Sequence, residues 1–186
     1  MNTLLKEILK KSRDTKKVIN LRKYDNDDYF YSGYILDYND EVVVIQHFTD
    51  YGKDDGLVFE KIENIENIEY DEDYSESLQL IIQNTKEIDI PNITKHKFDL
   101  DGNWKLNILK MFLDKNVIII VENYKKEKIC GFVKQVNETE LLINPINKGG
   151  LNEGMSLYKL DDISSIQPDD LECRKRLILY KLKNKK

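Results

Sequence analysis

The side chains with the richest chemistry in this chain are two cysteines, two histidines and a dense set of carboxylates. Two thiols, Cys130 and Cys173, make neither a disulfide framework nor a metal site. Cys130 precedes Gly131 in a strand-like run, where an inert buried thiol is the usual state. His47 lies in a strand-like run and His96 in a charged stretch; with no second histidine or cysteine spaced near either, no metal ligand set is expected. The carboxylates gather in Asp25–Asp28, Asp50–Asp55 and Asp71–Asp73. A general acid and base need unlike environments, which a solvated cluster does not supply, and the ligand spacing of a calcium loop is missing. No serine is placed with a histidine and an acid in a turn-flanked setting. The expectation is no catalytic residue, no metal, no cofactor and no enzymatic activity.

Binding chemistry is better represented. Residues 1–24 hold eight Lys/Arg against Glu7 and Asp14, residues 25–76 hold seventeen Asp/Glu against Lys53 and Lys61, and nothing after Glu172 is acidic. The acidic stretch would repel polyanions and the two chain ends would attract them. Lys10, Lys11, Arg13, Lys16 and Lys17, with Arg174, Lys175 and Arg176 and the tail to Lys186, are therefore the candidate interaction residues. Tyr24 and Tyr124 could stack bases beside them.

The elements that must position these groups come as a repeat. Gly33–Ile68 falls on Gly131–Ile166 at a shift of 98 positions without a gap. Gly33, Asn39, Gly52 and Gly56 meet Gly131, Asn137, Gly150 and Gly154, and the apolar Val43-Val-Ile meets Leu141-Leu-Ile. The 186 residues thus divide into units of about 80, each with a modest core. The expected boundaries are 1–82, a connection over 83–102, and 103–186. No apolar run approaches the ~20 residues that span a bilayer, the first residues lack a signal-peptide core, and a reduced cytoplasmic protein with no membrane contact is expected.

Within each unit the pattern is mainly β. Leu4, Leu5, Ile8 and Leu9 form one stripe of a short helix capped by Thr3, whose leucines pack on its own domain. Ile108-Leu-Lys repeats Ile8-Leu-Lys in a second helix, where Trp104 reads as a core or inter-domain anchor. A strand over 18–23 leads into turn chemistry over 24–28, a long strand over 29–38, a tight turn at Asn39-Asp-Glu, and a strand over 42–48. Gly33 and Gly131 inside the long strand are read as permitting its curvature. Gly52–Gly56 and Gly150–Gly154 read as hairpin loops with positive-φ positions; no helix opens after Gly56, which argues against a phosphate cradle. Leu57–Phe59 is a further strand, and the every-third-residue Ile62, Ile65, Ile68 predicts a 3₁₀ turn into a short strand. Residues 74–82 suit a terminal helix, with strand as the alternative, as for 171–182. Ile88–Pro91 reads as extended, and Val117–Val121 opens the second sheet.

A helix followed by five strands, with Gly33-Tyr-Ile and Gly131-Phe-Val in the second strand and Asn64-Ile-Glu-Asn-Ile68 and Asp162-Ile-Ser-Ser-Ile166 near the end, resembles the Sm-like fold, an SH3-like barrel. The resemblance implies two tandem five-stranded barrels, each preceded by an α-helix. It also implies where RNA would bind: an Asp and an Asn flanking the loop after the second strand, and an Arg-Gly pair before the last. Asn39 and Asn137 lie in that loop, but Val43 and Leu141 hold the later Asn position and Ile62-Glu63 and Leu160-Asp161 the Arg-Gly neighbourhood. Carboxylates there repel a phosphate backbone. The expected role is accordingly a protein-interaction or scaffold module with a protein partner or self-association. The alternative is nucleic-acid binding through the basic N-terminal helix and C-terminal tail.

Overall fold

The computed structural model describes residues 3–24, 26–93, 97–113 and 115–184, with the side chains of 26–29 excepted. His96, Asp25 of the expected turn, and Lys185 and Lys186 of the tail lie outside the described residues. The chain divides into two compact units, Met1–Thr85 and Lys86–Lys186, each a mainly β structure around one five-stranded antiparallel sheet with short helices.

In the first unit, helix α1 (Thr3–Thr15) precedes β1 (Ile19–Lys23), β2 (Asn26–Tyr38), β3 (Val42–Phe48) and β4 (Asp54–Lys61). A 3₁₀ turn (Ile62–Asn64), β5 (Ile65–Tyr70) and α2 (Asp73–Gln83) complete it. The sheet order β4-β3-β2-β1-β5 leaves β4 and β5 as its edges. Adjacent strand residues point to opposite faces, and both faces are covered. Ile35 joins Ile19, Leu21 and Val43 against Leu9 of α1, while Tyr34 joins Val18 and Phe48 against Leu78 of α2. The leucine stripe of α1 is therefore a packing face, with Leu9 fully buried.

The second unit repeats the plan. After a short helix α3 (Thr85–Ile88) at the boundary come α4 (Trp104–Met111), β6 (Ile119–Asn123), β7 (Lys128–Val136), β8 (Glu140–Pro145), β9 (Ser156–Lys159), a 3₁₀ turn (Leu160–Asp162), β10 (Ile163–Pro168) and α5 (Leu171–Lys183). The sheet order is β10-β6-β7-β8-β9. Leu109 and Phe112 fill one face with Ile119, Val133 and Ile143; Cys130, Phe132 and Ile146 meet Cys173 and Leu177 of α5 on the other. Both terminal segments, 74–82 and 171–182, are helical, started by side-chain caps from Glu72 and Asp170. A carboxylate there satisfies amide donors that no helical carbonyl reaches.

Three local expectations change, and the two strand glycines gain a second reason. Asn26–Asp28 continue β2 instead of turning, and Thr85–Ile88 is helical where 88–91 reads as extended. Trp104 opens α4 with 39% of its surface exposed and is not a core residue. Gly33 and Gly131 serve a close approach: a Cβ at Gly33 would overlap the carbonyl oxygen of Gln46 on β3, and one at Gly131 that of Asn144 on β8. The register also slips between Ile35 and Asp37 and, at the matching place, between Val133 and Gln135. Such bulges bend a strand and raise its twist. Among the described residues no helix is long and apolar enough to cross a membrane.

Candidate functional site

The basic residues singled out in the sequence divide between the two units, and most are engaged at home. On α1 and the loop after it, Lys11 Nζ lies 3.1 Å from Asp71 Oδ2, Lys17 pairs with Asp71 Oδ1, and Arg13 pairs with Asp14 at 3.1 Å and stacks over Tyr38 at 5.2 Å. Lys6 reaches Asp40 at 3.0 Å. In the second unit Arg174 Nε lies 3.9 Å from Asp169, Arg176 Nε donates to Glu172 Oε1 at 2.8 Å, and Lys175 is buried. Lys10 and Lys16 are exposed. The positive and negative blocks that look segregated along the first unit are thus folded onto one another.

Asp71 organises much of this. It stands at φ 59° just before α2, and hydrogen bonds from Lys17 and Lys11 hold its carboxyl below the usual carboxylate range. Its counterpart Asp169, at φ 61°, ties down the start of its own unit by accepting from the Ile93 amide at 2.9 Å and Asn92 Nδ2 at 2.8 Å. A folded-state value below the unfolded one means that the ionised carboxylate stabilises the fold above about pH 4, and that this contribution is lost as pH falls through the lower folded value. Asp71→Asn keeps a residue that tolerates positive φ and removes only the charge. It should cost roughly 1 kcal/mol at pH 7, the scale of partly exposed ion pairs. The urea midpoints of variant and wild type should converge once the pH is well below the carboxylate range.

Asn39 and Asn137, the residues nearest to an Sm-type RNA contact, are consumed by turns. Asn39 Oδ1 accepts from the amides of Glu41 and Val42, each at 2.8 Å, and Asn137 Oδ1 from those of Thr139 and Glu140 at 2.9 and 2.8 Å. This is Asx-turn geometry that fixes the hairpin.

The first unit brings a serine, a histidine and an acid around one cavity, a grouping the sequence reading does not include. Ser32, His47 and Asp55 line one cavity of about 410 Å³, walled by Phe30, Phe48 and Tyr74. His47 Nδ1 lies 3.0 Å from the Ser32 carbonyl oxygen. A carbonyl only accepts, so this nitrogen carries the proton and Nε2 faces Asp55 Oδ2, 3.8 Å away. The Ser32 hydroxyl instead donates to Asn20 Oδ1 at 2.6 Å, and Asn20 Nδ2 donates to the α2-capping Glu72 at 3.0 Å. The hydroxyl and imidazole are therefore not aligned as a nucleophile–base pair. On the rim, Tyr74 donates its hydroxyl to Asp50 Oδ1 at 2.6 Å; burial, reinforced by that carboxylate, pushes the phenol well up, so it stays a donor. The hairpin register that pairs Gly33 with His47 was the signal that could have placed His47 beside Ser32.

At the matching place in the second unit, Lys128, Cys130, Pro145 and Glu153 line a smaller cavity of about 260 Å³ together with Arg176. Ser32 and Ser75 of the first unit correspond to Cys130 and Cys173, both buried between β7 and α5. The neighbouring Cys130 thiol, burial and Asp170 all push the Cys173 thiol far up. Neither cysteine should react with a disulfide reagent such as dithionitrobenzoate in the folded protein, and both should react in denaturant. The absorbance of released thiolate reports this directly.

The outward faces of the sheet edges hold the remaining feature. Leu57 and Phe59 on β4 are 56% and 69% exposed, and the corresponding Met155 and Leu157 are 60% and 61% exposed. Each pair lies beside a half-buried neighbour in the next strand, Val44 or Leu142. An edge strand with apolar side chains facing water is a template for pairing with another chain. No family model, curated protein or solved structure matches the chain.

Proposed function

We propose that the chain is a non-enzymatic protein-interaction module of the reducing cytoplasm, built from two Sm-like, SH3-like barrels. Its outward sheet edges at β4 and β9 dock onto a second copy of the same chain. The observation that carries this reading is the pair of exposed apolar edges, Leu57 with Phe59 and Met155 with Leu157, present at equivalent positions in both units. Charge favours a head-to-tail partner of the same sequence. Residues 1–85 hold nineteen carboxylates against ten cations, whereas residues 86–186 hold nineteen cations against fifteen carboxylates. One unit is therefore net negative by nine and the other net positive by four, so unlike units of two copies attract.

Nucleic-acid binding through the basic ends has less support. Cations already paired with carboxylates neutralise few phosphates and release few counterions. Light scattering across a salt series tests the preferred reading. The mass should exceed the 22.0 kDa of one chain at low ionic strength and fall as salt screens the attraction. A single-chain mass at every protein and salt concentration would overturn it.

A further inference from the structure

The cavity of the first unit is used neither by the fold nor by the edge contacts. We propose that it receives the side chain of an arginine presented by an extended peptide of a partner protein. The site goes beyond self-association and does not depend on it.

The repeat itself indicates the ligand. In the second unit the guanidinium of Arg176 lines the corresponding cavity, donating through Nη1 to the carbonyl of Ile146 at 2.6 Å and through Nε to Glu172 at 2.8 Å. Arg176 corresponds to Leu78 in the first unit, a buried core residue under α2, and the first cavity is the larger, at about 410 Å³ against 260 Å³. One unit has an arginine of its own in the wall of this cavity; the other has none and keeps the larger opening.

The lining suits the same group from outside. Asp50 and Asp55 supply negative charge at the rim, and no lysine or arginine is among the described lining residues. Phe30, Phe48 and Tyr74 supply ring faces and edges, with Phe30 and Tyr74 in T-shaped contact at 5.4 Å. Phe30 already carries the guanidinium of Arg22 over its ring at 4.7 Å, so this wall accepts that geometry. A guanidinium offers a planar fork of donors to carboxylates and a flat, weakly hydrated face to rings, which an ammonium does not.

The test is a titration of the full-length protein with acetyl-Gly-Arg-Gly-amide, followed by ¹⁵N amide shifts of residues 47–55. Saturable shifts are expected, at least tenfold weaker with the citrulline peptide, which keeps the shape and loses the charge. Asp50→Asn combined with Asp55→Asn should weaken binding by a similar factor while the protein stays folded, since both residues are exposed and an asparagine Oδ1 at position 50 can still accept from the Tyr74 hydroxyl. Absence of saturable shifts, equal response to arginine and citrulline, or indifference to the double substitution would each overturn the proposal. The edge-dependent mass measured by light scattering is a separate readout, so failure of the arginine site and failure of self-association are told apart.

Discussion

Replacing Gly33 by alanine is expected to destabilise the first unit by about 1–3 kcal/mol or more, the range for forcing extra atoms into a packed interior. The added methyl would overlap the Gln46 carbonyl oxygen, with the carbonyl carbon only 2.8 Å away. That carbonyl belongs to the paired β2–β3 ladder, so relief requires parting two central strands. The sign of the effect separates two accounts of the glycine. Were it kept for flexibility alone, alanine would gain roughly 0.5–1 kcal/mol by restricting the unfolded chain. Gly131→Ala should do the same to the second unit, where the obstruction is Asn144. Urea unfolding of each variant should show an earlier transition; an unchanged or later midpoint would remove close approach as the reason for these glycines.

The second large effect concerns association. Phe59→Lys together with Leu157→Lys puts a charge at the centre of each exposed edge. Burying a side chain of this size contributes ~1.5–3 kcal/mol, so losing two should weaken self-association by roughly a hundredfold or more. Both positions are exposed, so the unfolding midpoint should stay within about 0.5 kcal/mol of wild type. A variant that keeps the wild-type mass would mean that the edges are not the contact.

Much of the architecture was legible because it rests on local rules. The every-third-residue isoleucines gave the 3₁₀ turn at Ile62–Asn64 and the strand after it. Asn39 and Asn137 mark turns because an Asn side chain can close one without help, and the Gly52–Gly56 loop has positive φ at both glycines, 68° and 89°. What stayed hidden depended on tertiary placement. Opposite charges sixty residues apart, Lys11 and Asp71, meet only because α1 packs beside the strand that leads into α2. The cavity around His47 needs the β2–β3 register, which the turn at Asn39 sets, together with the docking of α2, and the docking cannot be read from spacing alone. Trp104 carries a large apolar side chain, which argues for burial, but it falls at the first turn of α4, beyond the buried stripe of Leu106, Ile108 and Leu109. The apolar edges were hidden for a related reason: Leu57 and Phe59 alternate as any half-buried strand does, and only the sheet order shows that their side chains face water.

Sedimentation equilibrium of the full-length protein at low ionic strength, run beside the Phe59→Lys, Leu157→Lys variant, tests the central claim most directly. The interaction reading predicts a wild-type mass that is a multiple of 22.0 kDa and a variant that sediments as a single chain. A wild-type protein that sediments as a single chain across the concentration range, indistinguishable from the variant, would contradict it.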